Sequence, residues 1–322
     1  MTTAGRHVDD GARRTNTLVG IGLKVASVAV FVGMSTTIKL AGQVPAGEIV
    51  FFRSFFAIFP VLALFAWRGE VRTALSTSHP FSHIARGLVG VAAMGFGFFA
   101  LMRLPLPEAI TLNYAQPLLV VVFSALFLGE AIRIYRWSAV AVGLVGVVII
   151  SWPKLTLFAG DGVGLGDREA IGVVAALASA SISAVAMLLV RRLVRTEKSA
   201  TIVLWFSLTA SVIALLSIPF GWQALTWQQT ALLIACGFCG GMAQVLMTEA
   251  YRHAEASTVA PFEYTSMVLG IISGYVAFGD LPTIHTIVGG AIVIGAGIFI
   301  IWREHRLGIE RARTSKAMPP PQ

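Results

Sequence analysis

An all-α, multi-pass membrane protein of ten helices, built as two inverted five-helix repeats, is the fold class this sequence predicts, on three observations. Of its 322 residues, 56% are hydrophobic and 12% charged, against roughly 45–50% and 25% in soluble domains. The apolar residues gather in long runs, each near the roughly 20 residues that cross a hydrocarbon core of about 30 Å. Finally, a shift of 150 positions lays Tyr114 on Tyr264, Gly129 on Gly279, Trp152 on Trp302, and the acid Glu130 on Asp280.

The ten runs cover residues 18–40, 46–67, 83–101, 109–129, 134–152, 169–190, 201–220, 229–250, 258–279 and 283–302. Basic Arg13 and Arg14 before the first imitate a cleaved signal peptide, but its length and the nine runs that follow predict a retained helix. Prolines punctuate run ends at Pro45, Pro105, Pro107, Pro153 and Pro282, where a missing amide donor costs little. Trp67, Trp137, Trp152, Trp222, Trp227 and Trp302 sit near run ends, as an interfacial aromatic belt requires. The organisation is a polar tail at 1–16, a first repeat at 17–152, a linker loop at 153–168, a second repeat at 169–302 and a second tail at 303–322.

The net charge of +8 does not point to nucleic acid, because the basic residues lie between apolar runs and line no single face. Topology accounts for them. With the N-terminus inside, 18 of the 24 lysines and arginines, Arg68, Arg86 and Arg192 among them, fall in inside segments and three fall outside. Lys24, Lys39 and Arg53 remain within runs. The positive-inside rule then places both termini in the cytoplasm, and a bacterial inner membrane is the expected location. Cys236 and Cys239 lie in an apolar run without neighbouring metal ligands, so they read as packing residues; no metal and no cofactor is expected.

Five spans per repeat is an odd number, so the second copy enters the membrane from the opposite side. Residues 100–152 align with 250–302 without a gap, and a shift of 152 pairs Gly20, Ser27 and Lys39 with Gly172, Ser179 and Arg191. Two inverted halves around a midplane site are a recurrent architecture of secondary transporters.

The P-x7-R spacing of Pro45 and Arg53, the stretch LPLPEAITLNYAQPLLVVVFSALFLGE through span four and its echo in span nine together resemble the EamA-type members of the drug/metabolite transporter superfamily. The likeness covers about residues 17–302. It implies a transporter fold of ten spans and a small-molecule substrate. The second half departs from the pattern, with Asp280 in place of a glutamate and Met267 where Pro117 stands. The stretch from IVFFRSFF to LPLPEA is similar to the riboflavin-uptake branch of the family, which implies riboflavin as the solute; export of amino acids or drugs by another branch is the alternative.

Charges at membrane depth cost about 2.5–3.5 kcal/mol on insertion scales, so each needs a partner, a wet cavity or a function. Arg53 either recognises an anionic or carbonyl group of a substrate or is neutralised by Glu48 or a backbone carbonyl. On span nine, Glu263, Ser266, Gly270 and Ser273 share a helix face; their counterparts on span four begin with Asn113 and Gln116. Asn113 facing Glu263, and Tyr114 facing Tyr264, form either a central substrate pocket or a packing seam. Glu263 is the candidate for proton coupling, since burial favours the neutral form of a carboxylic acid; permanent pairing with Lys24 or Arg252 is the other reading. Pro117 and Pro261 interrupt the backbone ladder as hinges or simple bends. Gly289, Gly290, Gly295 and Gly297 permit close helix contact.

An enzyme is not expected: the chain has no phosphate-binding lysine loop, no H-E-x-x-H, no G-x-S-x-G, and no loop long enough for a catalytic domain. The glycine-rich GDGVGLG at 160–166 lacks a preceding strand and reads as linker. The expected partners are a small solute and the lipid bilayer, with a second copy of the chain left open. A non-transporting scaffold or receptor is the competing class, but it leaves the repeat unexplained.

Overall fold

A computed structural model describes residues 3–128, 134–155, 165–193, 196–254 and 259–317. Its helices are α1 (Thr3–Leu40), α2 (Ala46–Trp67), α3 (Pro80–Leu101), α4 (Leu106–Asn113), α5 (Ala115–Leu128), α6 (Ile134–Leu155), α7 (Leu165–Leu193), α8 (Ser199–Leu215), α9 (Trp227–His253), α10 (Thr265–Phe278) and α11 (Ile284–Ala317). A 3-10 turn, Ala260–Tyr264, leads into α10. Both tails begin as continuations of their helices, α1 from Thr3 and α11 to Ala317.

Eight spans among the described residues are long and apolar enough to cross a membrane, with Leu106–Phe127 counted as one. The ten-run expectation is not met at two places. Residues 201–220 yield only the 17-residue α8, because the chain turns at Leu216 and enters a 3-10 turn around Pro219. Residues 258–279 divide into the 3-10 turn and the 14-residue α10. The helices turn Phe55, Phe59, Val145, Val148 and Ile272 outward, an arrangement that hydrocarbon tolerates and water does not. Some hydroxyls inside the helices are satisfied locally, as Ser124 donates to the Val120 carbonyl and Ser151 to that of Val147, each at 2.8 Å.

The packing repeats when the halves are exchanged. Helix α1 lies on α9 as α7 lies on α3; α2 contacts α9 as α8 contacts α3; α5 meets α7 as α10 meets α1. Pairs that map onto themselves, α2–α8 and α6–α11, also touch. One hydrogen bond is made twice in this way. Buried Ser27 of α1 donates to the Ala243 carbonyl of α9 at 2.8 Å, and buried Ser179 of α7 donates to the Ala93 carbonyl of α3 at 2.8 Å. The sparse sequence identities at Ser27 and Ser179 therefore mark a shared interhelical bond.

Glycines set the closest approaches. A Cβ at Gly20 would meet that of Ala254 at 2.6 Å, and one at its counterpart Gly172 would meet Leu104 at 3.0 Å. Gly289 abuts the backbone of α6. Gly295, grouped with it by sequence, has nothing within 4 Å, so it does not serve a contact; it points away from α6, being six residues and about 600° around the helix from Gly289.

Candidate functional site

The two repeat-related spans are both broken at their tyrosines. Span four is interrupted at Tyr114, between α4 and α5; span nine passes from 3-10 to α-helix after Tyr264. Pro117 lies in the first turn of α5 and Pro261 at the start of the 3-10 turn. Neither stands in a helix interior, contrary to the sequence reading. Proline is tolerated there because first-turn amides have no intrahelical acceptor.

At the breaks the Tyr114 and Tyr264 rings meet edge to face, centroids 5.1 Å apart at 72°. The Tyr114 hydroxyl bonds the Ser266 hydroxyl at 2.5 Å, and Ser266 donates to the Glu263 carbonyl at 2.7 Å. Gly297 makes room for Tyr264, since a Cβ there would overlap the phenol oxygen. The structure thus unites Tyr114, Tyr264, Ser266 and Glu263. Asn113 is exposed at the end of α4 and does not meet Glu263; Gln116 is half-buried and Pro117 exposed.

Glu263 turns instead to α1, where its carboxylate accepts from the Lys24 ammonium. Burial is unequal: the Lys24 side chain is 1% exposed and that of Glu263 49%. Of the two cations that sequence offered, Lys24 is the one seen paired; the Arg252 side chain lies outside the described residues. Arg53 is 5% exposed and does not pair with Glu48, whose carboxylate accepts from the Gln223 amide at 3.5 Å. The guanidinium faces Phe206 of α8, 5.8 Å from the ring centroid. Among the described residues no group of three or more His, Cys, Asp or Glu side chains could hold a metal, and Cys236 and Cys239 are free thiols.

The repeated glycine-acid ending has a structural answer at its second copy. Gly279 adopts φ +71° and stops α10, with its amide on the Tyr275 carbonyl and the Asp280 amide on that of Gly274, both 3.0 Å, a Schellman closure. This aims Asp280 at Lys39 of α1, 2.7 Å away; Lys39 also donates to the Leu104 carbonyl at 3.1 Å, and the Leu106 amide reaches Asp280 at 3.4 Å. Three segments are clasped by one carboxylate. Gly129 and Glu130 lie outside the described residues. Sequence listed Lys39 as a charge within a span but did not find its partner, since the two are 241 positions apart. Because the pair is partly exposed, Asp280→Asn should cost only about 1–2 kcal/mol. Thermal unfolding in detergent should show Lys39→Met and Asp280→Asn to be non-additive; full additivity would deny the coupling.

The opposite end carries its own clasps: Arg68 of the α2 C-cap with Glu249 of α9, and Lys198 with Glu70 at 3.0 Å. Arg86, counted from sequence among inside charges, instead lies within α3 against Phe206, because that helix already begins at Pro80.

Comparison with known proteins adds a family, three relatives and a solved structure. The EamA-like transporter family matches residues 18–152 and again 170–303. The pseudopaline exporter of Pseudomonas aeruginosa is 31% identical over 87% of this chain and 94% of that protein. An S-adenosylmethionine uptake transporter of Rickettsia bellii is 28% identical over 80% of this chain and 84% of its own, and a riboflavin transporter of Rhizobium johnstonii 28% over 90% of each. A solved structure shares the fold, at a TM-score of 0.61 and 23% identity, over 91% of this chain and 99% of that one.

Proposed function

The chain belongs to the EamA-like transporter family, and from that membership we propose that it is a secondary transporter carrying a small metabolite across a bacterial inner membrane by alternating access. The halves are taken as inverted repeats of five spans each, with both termini cytoplasmic, on the positive-inside count. The observation that carries the reading is the pair of breaks at Tyr114 and Tyr264, where α4, α10 and the 3-10 turn converge. Discontinuous spans meeting at mid-depth are how carriers expose a site alternately to two sides. In this scheme Lys39–Asp280 closes the outer face. The sequence counterparts of these two residues are Arg191 and Glu130, which would close the inner face when the outer pair parts.

Two substrate readings follow from the relatives' names. Riboflavin uptake, expected from sequence, is supported by the relatives called riboflavin transporters and by the paired Tyr114 and Tyr264 rings, with Asn113 and Gln116 as the amides that the sequence offered. A solute of amino-acid type is supported by the S-adenosylmethionine and pseudopaline relatives, and the buried guanidinium of Arg53 favours it. We assign substrate contact to Arg53, Tyr114, Tyr264 and Ser266, and proton coupling to Glu263, whose protonation would release Lys24.

Counterflow in proteoliposomes of the purified full chain, with labelled riboflavin and labelled S-adenosylmethionine in parallel, tests the reading. Saturable exchange of either solute supports a carrier; a scaffold gives none. The double variant Lys24→Met/Glu263→Gln should lose the pH dependence of transport if this carboxylate couples protons. A pH profile equal to wild type removes Glu263 from coupling.

A further inference from the structure

A second arginine, Arg86 of α3, shares the Phe206 ring with Arg53. Its guanidinium carbon lies 3.7 Å from the ring centroid, a stacking distance, while that of Arg53 lies at 5.8 Å. Neither forms an ion pair with an acid among the described residues, and Nε and Nη1 of Arg86 are buried without a hydrogen-bond acceptor. Two like charges against one ring are costly in a region where even one costs about 2.5–3.5 kcal/mol. An aromatic face offsets only part of that cost.

Depth and shape complete the picture. Phe206 is mid-way along Ser199–Leu215. Arg86 reaches toward Gly90, the centre of Pro80–Leu101, so that a Cβ at Gly90 would lie 3.0 Å from its Nη1 and 2.7 Å from the Phe206 ring. Arg53 reaches Gly240, the centre of Trp227–His253, where a Cβ would lie 3.2 Å from its Nε. Gly90 and Gly240 are separated by the repeat spacing of 150. Repeat-related glycines therefore make room for both cationic heads, at mid-depth, between helices α2, α3, α8 and α9. This is where an inverted-repeat carrier binds its cargo.

We propose that Arg53 and Arg86, held against Phe206, form a midplane site for an anionic oxygen group, carboxylate or phosphate, of the carried solute. Forked guanidinium donors match the paired oxygens of such a group, and the solute's charge supplies the counterion that the described residues do not. The site rests on the carrier reading above and adds Arg86 and Phe206 to it. It selects the solute of amino-acid type, or a phosphorylated one, over uncharged riboflavin.

The test is thermal stabilisation of the purified full chain by matched solutes that differ only in the anionic group. The pairs are S-adenosylmethionine and its decarboxylated form, L-methionine and 3-(methylthio)propylamine, L-tryptophan and tryptamine, and riboflavin 5′-phosphate and riboflavin. The charged member of at least one pair should stabilise wild type at a concentration at least tenfold lower than its partner. The first three pairs report a carboxylate and the last a phosphate. Arg86→Gln should abolish the difference, and Arg86→Lys, which keeps the charge and the fold, should weaken it about tenfold by losing the fork. Equal responses within every pair, no response to any charged member, or a preference unchanged in Arg86→Lys would overturn the site. Counterflow separates the two claims: exchange without a preference for the charged member sinks the arginine site alone, whereas absence of exchange with intact anion binding sinks the carrier.

Discussion

Glu263→Gln will destabilise the protein more than Lys24→Met, although each removes one half of the same ion pair. The reason is unequal burial, 1% exposure for Lys24 against 49% for Glu263. Loss of the carboxylate takes from a buried ammonium the charge partner that Glu263 supplies, a change that costs about 3–5 kcal/mol. Loss of the ammonium leaves a carboxylate that solvent or headgroups can reach, at a cost nearer 1 kcal/mol. Removing both should recover most of the loss, because the buried ammonium goes together with the carboxylate that it answers. Chemical unfolding in mixed micelles measures all three. Equal losses in the single variants, or a double variant worse than either, would show that the pair is not the interaction Lys24 depends on.

The second large effect concerns one helix and one kind of change with opposite outcomes. At Gly289 of α11 a Cβ would lie 2.5 Å from the Gly146 carbonyl oxygen and 2.6 Å from Ile150, and at Gly146 one would lie 2.7 Å from the Gly289 carbonyl. The nearest obstacle, the Gly146 carbonyl oxygen, is a backbone atom that cannot rotate aside, so Gly289→Ala must push α6 and α11 apart. Overpacking of this kind costs about 1–3 kcal/mol, and here the upper end is expected because the two helices meet backbone to backbone. Gly295→Ala meets nothing within 4 Å and should gain roughly 0.5–1 kcal/mol from restricted unfolded-chain freedom and better helix propensity. Melting temperatures of the two variants against wild type decide it. A neutral Gly289→Ala would mean that the α6–α11 seam is looser than the structure has it.

Much of the architecture was legible because membranes leave few options. Long apolar runs follow from the need to satisfy every backbone group within a span, and that need is written in local composition, although eight and not ten of the described helical spans are long enough to cross. Ser27 and Ser179 were legible as a repeat match, yet that each donates across to a carbonyl of the opposite half depends on which helices cross. Pro117 and Pro261 were visible as helix breakers, but whether a proline kinks a helix or starts one depends on where the helix begins, and the breaks fell at Tyr114 and Tyr264 instead.

The amino-acid order alone determined the class of protein, the boundaries of most spans, the duplication and the residues whose polarity demanded explanation: Arg53, Glu263, the tyrosines and the acid that closes span nine. Only the tertiary structure decided who answers whom. Lys24 with Glu263 and Lys39 with Asp280 are pairs more than 200 positions apart, and Arg86 joins Arg53 only because α3 and α2 both pack on α8. Hydrophobic periodicity and span length are set within a single helix of about 20 residues and can be read along the chain. Charge pairing acts through space, between faces whose meeting depends on how all the helices pack at once.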